Sequence, residues 1–284
     1  MEVLVEGLLV GAVYAMVALG FSLVWGVMNV INLAHGSFVM IGAFVTFWLF
    51  RLYGVDPFVT LPVSFVVGGV LGYVIQKFII NRIVRAPPFM TLILTYGISI
   101  ILVNAALILW TADYRAVTPS YADTTFTIGP LLIPYMKMSV LTIVIVLTVI
   151  FSYILNHTRL GRSIRATRMD LEAARLMGVN VANIYALTFA IGAGLAALAG
   201  SLISMLYPIT PVMGDHYIGI AFVACALGGL GGVRGALIGG VLIGIIEAFS
   251  VWIFGVEFQQ AVAYIALVLV LILLPRGILG QEYY

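Results

Sequence analysis

Nine apolar stretches, most of them about as long as a membrane-spanning helix, follow one another along the chain and are separated by short polar segments. A helix needs about 20 apolar residues to cross the hydrocarbon core of a bilayer. The second, seventh and ninth stretches are short, and the uncharged segment 7–50 is also compatible with one full helix followed by a re-entrant half helix. We therefore predict eight to ten membrane helices, placed at residues 7–27, 34–50, 58–76, 89–110, 138–156, 184–206, 217–233, 235–254 and 258–274.

Composition supports a protein that is solvated largely by lipid. Charged residues make up 8% of the 284 residues and hydrophobic residues 63%, with a mean hydropathy of +1.21. Soluble proteins carry about 25% charged residues. Only α-helices and closed β-barrels satisfy every backbone polar group in lipid, and the apolar stretches are longer than the ~10-residue alternating strands of barrels. The expected fold class is an all-α polytopic membrane protein in which residues 1–284 form a single transmembrane domain.

Basic residues are distributed unevenly between the polar segments, and this sets the expected orientation. Loops that stay in the cytoplasm carry an excess of Lys and Arg. Ten of the thirteen basic residues fall in segments that nine crossings place on one side, which leaves Arg51, Arg115 and Lys137 for the other side. We therefore predict that the N-terminus lies outside and the C-terminus in the cytoplasm. The ten predicted cytoplasmic residues are Lys77, Arg82, Arg85, Arg159, Arg162, Arg165, Arg168, Arg175, Arg234 and Arg276.

A polar segment at residues 111–137 falls on the predicted outer side. It is too long for a tight turn between two helices. We interpret it either as a docking surface or as a solvated connector.

The sequence RMDLEAARLMGV, residues 168–179, has the signature of a short capped helix outside the membrane. Asp170 is suited to cap the N-terminus, because its carboxylate can accept from the first free N–H groups. Glu172 in the first turn and Arg175 in the last turn both suit the helix dipole. Gly178 suits the left-handed residue that commonly ends a helix. The pattern predicts a two-turn helix with both of its ends specified.

A helix of this length, residues 171–177, is marginal on its own in water. It is therefore expected to pack against something. Ala173 and Ala174 provide a face without bulky side chains on which a partner protein can close. The alternative is that the arginines only set the orientation and that the helix rests on its own membrane domain.

This segment and two longer stretches resemble one known family. EAARLMGVN resembles the cytoplasmic coupling motif of ABC importer permeases. GLLVGAVYAMVALGFSLVWGVMNVINLAHGSFVMIGAF resembles the opening of the branched-chain (hydrophobic) amino acid ABC permeases, and GLGGVRGALIGG resembles their late glycine-rich turn. The similarity runs through essentially the whole chain, which looks like the shorter of the two permease types that pair in these importers.

The resemblance implies an ABC importer permease fold with a cytoplasmic coupling loop at residues 157–183. It implies four kinds of neighbour: a second, non-identical permease subunit, two cytoplasmic ATPase subunits that bind ATP and Mg, a periplasmic or extracytoplasmic substrate-binding protein, and the bilayer of a bacterial or archaeal cytoplasmic membrane. The expected substrates are branched-chain and other hydrophobic amino acids, although relatives of these permeases also carry urea, short amides and aromatic acids. The implied ATPase-coupling residues are Asp170, Glu172, Ala173, Ala174, Arg175 and Gly178.

The sequence contains no recognised catalytic or cofactor motif. A P-loop needs a Gly-Lys pair to bind phosphates, whereas Lys77 and Lys137 follow Gln and Met. Neither HExxH nor GxSxG occurs, and a single cysteine, Cys225, excludes a Cys-rich metal site. We expect a non-hydrolytic membrane subunit with no cofactor of its own and no nucleic acid partner. A rival class is a stand-alone secondary carrier or channel, which requires buried ionisable residues for ion coupling.

Five polar residues within or beside the predicted spans are candidates for the translocation pathway. Polar groups at membrane depth are costly and usually face protein or a water-filled cavity. Asn29, Asn32 and His35 follow the first span, where they either line a break in the substrate path or serve structure, with Asn32 capping the next helix and the other two bonding across helices. Glu247 is placed inside a span and is suited to a substrate ammonium, to a structural pairing, or to a protonated position between chains. Asn104 is a candidate of the same kind.

Overall fold

The computed structural model describes residues 2–84, 86–122, 124–128, 131–274 and 277–279. Two of the basic residues that were predicted to be cytoplasmic, Arg85 and Arg276, lie outside these ranges. The helices in chain order are α1 (Glu2–Met28), α2 (His35–Tyr53), α3 (Leu61–Phe78), α4 (Pro88–Trp110), α5 (Tyr135–His157), α6 (Arg159–Met169), α7 (Leu171–Leu176), α8 (Val181–Ser204), α9 (Gly214–Gly228), α10 (Val233–Phe254) and α11 (Gln259–Leu273). Short 3₁₀ turns precede α4 (Ile80–Arg82) and α11 (Val256–Phe258), and strands β1 (Thr125–Ile128) and β2 (Leu131–Pro134) pair as an antiparallel hairpin.

Each of the nine predicted spans overlaps one apolar helix. Within the described residues, eight helical segments are long and apolar enough to cross a membrane. The seventh span is corrected: it was expected at residues 217–233, but α9 ends at Gly228 because Gly229 adopts a φ of +104°. The 15 residues of α9 rise only about 22 Å, less than the ~30 Å of a hydrocarbon core. The prediction of an all-α polytopic membrane protein with eight to ten membrane helices is confirmed.

The central helix of the bundle is α1, although it comes first in the chain. It packs antiparallel to α10, because Gly7 lies against Ile245 near one end of the pair and Gly26 lies against Gly231 near the other. A neighbouring face of α1 packs on α8, where small residues again meet. Small residues let helix backbones approach closely, which is the usual basis of helix association in a bilayer.

The described members of the two predicted sets of basic residues lie at opposite ends of this bundle. Five arginines lie on α6 and α7, and we call that end the inner end; the opposite end is the outer end. At the outer end, Lys137 forms an ion pair with Glu6 of α1, and Arg115 lies over the ring of Trp48. The described residues nearest the two termini also lie at opposite ends, since Ile278 donates a hydrogen bond to Leu227 near the inner end. Which end faces the cytoplasm stays a prediction.

Two helices begin inside the bundle rather than at an end. His35 Nε2 lies 3.0 Å from the carbonyl oxygen of Val17, which places the start of α2 beside the middle of α1. The start of α9 lies next to it, because a Cβ atom on Gly214 would be 2.6 Å from the carbonyl oxygen of Gly36. From this meeting point α2 runs to the outer end and α9 to the inner end. The segment 7–50 therefore holds one full-length helix and a second helix that starts within the bundle.

The polar segment predicted at residues 111–137 folds onto the outer end as an anchored cap over its described residues 111–122, 124–128 and 131–134, and its last three residues begin α5. Arg115 and Ile209 exchange two backbone hydrogen bonds of 3.0 and 2.7 Å, which fix the segment to the link between α8 and α9. The hydroxyl of Tyr121 donates to Asp56 Oδ2 over 2.7 Å. Burial, aided by this carboxylate, raises the pKa of Tyr121, so the hydroxyl stays protonated and keeps donating. The segment is thus attached at two separate points, to the link between α8 and α9 and to the link between α2 and α3.

Candidate functional site

The capped helix predicted from RMDLEAARLMGV is present as α7. Asp170 Oδ1 accepts hydrogen bonds of 2.9 Å from the backbone N–H groups of Glu172 and Ala173. Glu172 and Arg175 form an ion pair of 2.9 Å one turn apart. Gly178 adopts a φ of +83°, the left-handed conformation expected after the helix end. All four features follow the predicted capping pattern, and only the last helical residue differs, by one position.

Large apolar side chains are exposed at the end of α7 and beside it, so the exposed surface differs from the predicted one. Leu176 and Met177 are 87% and 85% exposed, and the neighbouring Met169 is similarly open. Ala173 is exposed, as expected, but Ala174 is only 3% exposed. Its carbonyl accepts from Val179 N as the chain turns toward α8, so Ala174 packs on its own chain. The expectation that both alanines face a partner was therefore wrong for Ala174.

Helix α6, which carries α7, was not predicted from the sequence. The Thr158 side chain accepts from Gly161 N over 3.1 Å and caps α6. One face, with Ile164 and Thr167, is buried, and Arg165 donates to the carbonyl oxygen of Leu155 at the end of α5. The sequence does contain a signal for this helix, since Thr158 can act as an N-cap and apolar residues follow it at helical spacing. The arginines of this segment were interpreted only as a signal of orientation. Through α6, α7 is held on the ends of α5 and α8.

The three polar residues that follow α1 have three different environments. Asn29 is exposed and ends α1 with a φ of +52°, a conformation that Asn adopts more readily than most residues. Asn32 is fully buried, and neither atom of its amide has a partner among the described groups. Its backbone carbonyl, not its side chain, accepts from His35 N. The suggestion that the Asn32 side chain caps α2 was therefore wrong, whereas His35 does bond across helices, to Val17.

Glu247 is buried within α10 and is held by two donors from other elements. The Tyr14 hydroxyl and Gln259 Nε2 each donate to Glu247 Oε2 over 2.8 Å. Glu247 also lines a cavity of about 810 Å³, which extends from the outer ends of α1 and α10 down to Tyr14 and Tyr217. Glu247, the carboxylate that was expected inside a span, thus lies beside this cavity.

Asn104 lies apart from the other candidates. Its side chain is exposed on α4 and its amide donates to the carbonyl oxygen of Ile100 in the same helix. A role for Asn104 in the translocation pathway stays a prediction.

Within the described ranges, no group of three or more His, Cys, Asp or Glu side chains is placed to hold a metal ion. Cys225 is buried, and its thiol donates to the carbonyl oxygen of Ala18. The thiol therefore serves helix packing between α9 and α1.

Comparison with known proteins relates the whole chain to amino acid permeases. Residues 3–271 match the family model described as "Branched-chain amino acid transport system / permease component". The chain is 36% identical to the high-affinity branched-chain amino acid transport system permease protein BraD of Pseudomonas aeruginosa, over 99% of this chain and 96% of that protein. It is 32% identical to the corresponding protein LivH of Escherichia coli, over 97% of this chain and 94% of that one.

A solved structure shares the fold. PsaBC from Streptococcus pneumoniae, determined in complex with a Fab, superposes with a TM-score of 0.51 over 97% of this chain and 93% of that chain. The two sequences are 15% identical. At this distance the likeness shows the arrangement of helices and nothing finer.

Proposed function

Because the chain belongs to the family of branched-chain amino acid transport permease components, we propose that it is one of two permease subunits of an ATP-driven importer of branched-chain and other hydrophobic amino acids. The second permease subunit is expected to be a different chain, and the two together form the translocation pathway. Two cytoplasmic ATPase subunits bind and hydrolyse ATP with Mg, and an extracytoplasmic binding protein delivers the substrate. The complex resides in the cytoplasmic membrane of a bacterium or archaeon, with the N-terminus of this chain outside.

One observation carries the proposal: α7 is a capped helix, and the exposed apolar side chains of Leu176 at its end and Met177 just after it lie at the arginine-rich end of the bundle. Exposed apolar groups beside charged ones are typical of a surface that a protein partner covers. A switch between two access states needs an energy source that binds the two states differently. A nucleotide-binding partner seated on α7 supplies that difference at the inner end.

The fold supports transmission of that movement into the membrane. α7 is joined to α5 through α6, and to α8 through the turn at Gly178. α8 reaches the centre of the bundle, where it packs beside α1 near the meeting point of α2 and α9. A displacement of α7 therefore acts directly on the helices around the buried residues Asn32 and His35.

Faces of α4, α5 and α11 provide room for the second permease and for lipid. Few side chains of these three helices are buried, and the exposed ones are predominantly apolar. The anchored cap at residues 111–134 lies at the opposite end from α7 and is suited to receive the binding protein.

The proposal is tested by reconstituting the chain with its partner subunits in vesicles and measuring leucine uptake together with ATP hydrolysis. Glu172→Lys reverses a charge in the first turn of α7, and Gly178→Val places a β-branched residue at a φ of +83°. Both variants are expected to insert normally and to hydrolyse ATP without driving uptake. Glu172→Asp and Gly178→Asn are the matched controls, because they keep the charge and tolerate positive φ, respectively. Unchanged coupling in Glu172→Lys and Gly178→Val contradicts the proposal.

A further inference from the structure

The cavity beside Glu247 has the size and shape of a site for a small molecule. Its volume of about 810 Å³ falls within the range of ligand sites, roughly 300 to 1,000 Å³. Its walls come from α1, α10, the start of α9 and the turn before α11, all within one chain. Val3 and Trp252 lie near its outer end, and Tyr14 and Tyr217 lie deeper in the bundle. The cavity therefore runs from the outer end of the bundle toward its middle.

Glu247 presents one carboxylate oxygen that has no partner. The residue is 1% exposed, and both of its donors, Tyr14 and Gln259, bond to Oε2. The other oxygen, Oε1, is buried and accepts no hydrogen bond from any group within the described ranges. Leaving a buried carboxylate oxygen without a donor costs free energy, and charged donors compensate best. Oε1 is thus the carboxylate oxygen that lacks a donor, and because Glu247 lines the cavity, a rotation of its side chain brings Oε1 to a donor on a molecule bound there.

The charges around the cavity favour a cationic group. The described lining contains two carboxylates, Glu6 and Glu247, and neither lysine nor arginine. Lys137 already pairs with Glu6, so Glu247 is the carboxylate without a cationic partner among the lining residues. A primary ammonium supplies both the positive charge and the hydrogen-bond donors that Oε1 lacks.

The remaining walls suit the other parts of an amino acid. Leu9, Val10, Ala248 and Val251 provide apolar surface for an aliphatic side chain. The phenols of Tyr207 and Tyr217 also line the cavity, and a phenol O–H can donate to a carboxylate.

We propose that this cavity binds the transported aliphatic amino acid, with its ammonium group donating to Glu247 Oε1. The inference rests on the proposed function for the identity of the ligand, and it adds a binding site that lies within this one permease chain.

A lipid with an amine headgroup shares the ammonium chemistry, but its geometry fits less well. Glu247 lies seven residues before the outer end of α10 at Phe254, about 10 Å along the helix axis. The headgroup of an outer-leaflet lipid lies at the membrane surface and its acyl chains lie deeper. To reach Glu247, the headgroup would have to lie deeper than its own chains. A free amino acid meets no such constraint.

Cysteine protection in the assembled complex tests the proposal. Val251→Cys places a thiol in the cavity wall, and Val59→Cys places one on an exposed outer turn as the control. The native Cys225 is fully buried, which keeps background labelling low.

The complex with its partner subunits is placed in phosphatidylcholine nanodiscs, and the rate of maleimide labelling is measured in the presence of three compounds. These are L-leucine, isopentylamine, which lacks the carboxylate, and 4-methylpentanoate, which lacks the ammonium.

Leucine and isopentylamine are expected to slow the labelling of Val251→Cys, whereas 4-methylpentanoate is not, and Val59→Cys is expected to label equally in all cases. Adding Glu247→Gln is expected to raise the leucine concentration for half-maximal protection about tenfold or more, the scale of one charge-assisted hydrogen bond. Protection by 4-methylpentanoate equal to that by leucine overturns the proposal without requiring any Glu247 variant to fold. Tyr14→Phe, which removes only one donor to Oε2, is expected to weaken protection less than Glu247→Gln does.

Two further arms separate the alternatives. Slower labelling in phosphatidylethanolamine nanodiscs than in phosphatidylcholine, without protection by leucine, identifies a lipid site and overturns the amino acid proposal. Leucine uptake by the parent complex tests the proposed function separately. If uptake is present and Glu247→Gln leaves protection unchanged, only the cavity proposal fails; if uptake is absent but leucine still protects, only the importer assignment fails.

Discussion

Gly36 and Gly214 meet backbone to backbone in the middle of the bundle, where a Cβ atom on Gly214 would lie 2.6 Å from the carbonyl oxygen of Gly36. The two residues begin helices that run to opposite ends of the molecule. No side chain fits between them, so the meeting of α2 and α9 depends on glycine at these positions. The pair joins the first half of the chain to the second at the level of His35.

Substitution of Gly214 by alanine is expected to destabilise the protein. The added methyl group must push the starts of α2 and α9 apart, at a cost of about 1–3 kcal/mol, as for overpacked cores. The apparent melting temperature of the purified complex in detergent measures this. Gly97→Ala in α4 is the matched control, because a Cβ there meets no atom within 4 Å. Equal melting temperatures for the two variants contradict the packing argument.

Asn29 is expected to act through its backbone conformation. Because it holds a φ of +52°, Asn29→Gly should leave uptake per assembled complex unchanged. Asn29→Val should reduce stability by about 1–2 kcal/mol, the cost of a left-handed conformation for a residue with a bulky side chain. Leucine uptake and complex yield, measured together, separate the two effects. Loss of uptake in a normally assembled Asn29→Gly complex would instead assign the side chain to the pathway.

Removing the cap of α7 is expected to weaken coupling. Asp170→Ala loses the acceptor for the N–H groups of Glu172 and Ala173, which destabilises the helix start by about 1 kcal/mol. The expected result is a lower ratio of leucine transported to ATP hydrolysed, with normal membrane insertion. Asp170→Ser keeps a capping oxygen and should retain most of the coupling. A normal ratio in the alanine variant argues that α7 is held rigid by its partner alone.

The orientation of the chain is open to a labelling test. Tyr114→Cys lies in the outer cap and Met177→Cys on the turn after α7, and both parent side chains are highly exposed. A membrane-impermeant thiol reagent should label the first variant in intact cells with the outer envelope removed, and the second only after the membrane is permeabilised. The opposite pattern reverses the predicted topology and removes α7 from the cytoplasm.

The sequence was sufficient to predict those helices whose position and ends are determined by residues close together in the chain. The apolar stretches placed the membrane helices, and the caps at Asp170 and Gly178 placed α7 to within one residue. These features depend on residues within one or two turns of one another. The burial of Ala174 was not predicted, because it depends on how α7 packs against the rest of its own chain, and a local sequence pattern carries no information on that packing.

Contacts between distant parts of the chain were the ones that the sequence did not reveal. Glu247 was identified as a carboxylate inside a span, but its partner Tyr14 lies 233 residues away. The link of residues 205–213, which leads α9 back into the middle of the bundle, consists mostly of apolar residues and carries no charge that would mark it. The contact between Tyr14 and Glu247 arises from the antiparallel packing of α1 and α10, and only the three-dimensional structure shows it.

The central claim is that α7 is the contact through which an ATPase subunit acts on the membrane domain. The most direct measurement is photo-cross-linking in the assembled complex from a probe placed at Leu176, with a probe at Leu52, which is exposed at the outer end, as the control. We expect an adduct with the ATPase subunit from position 176 and none from position 52. An adduct from position 52, or none from position 176 in a complex that retains its ATPase subunits, would contradict it.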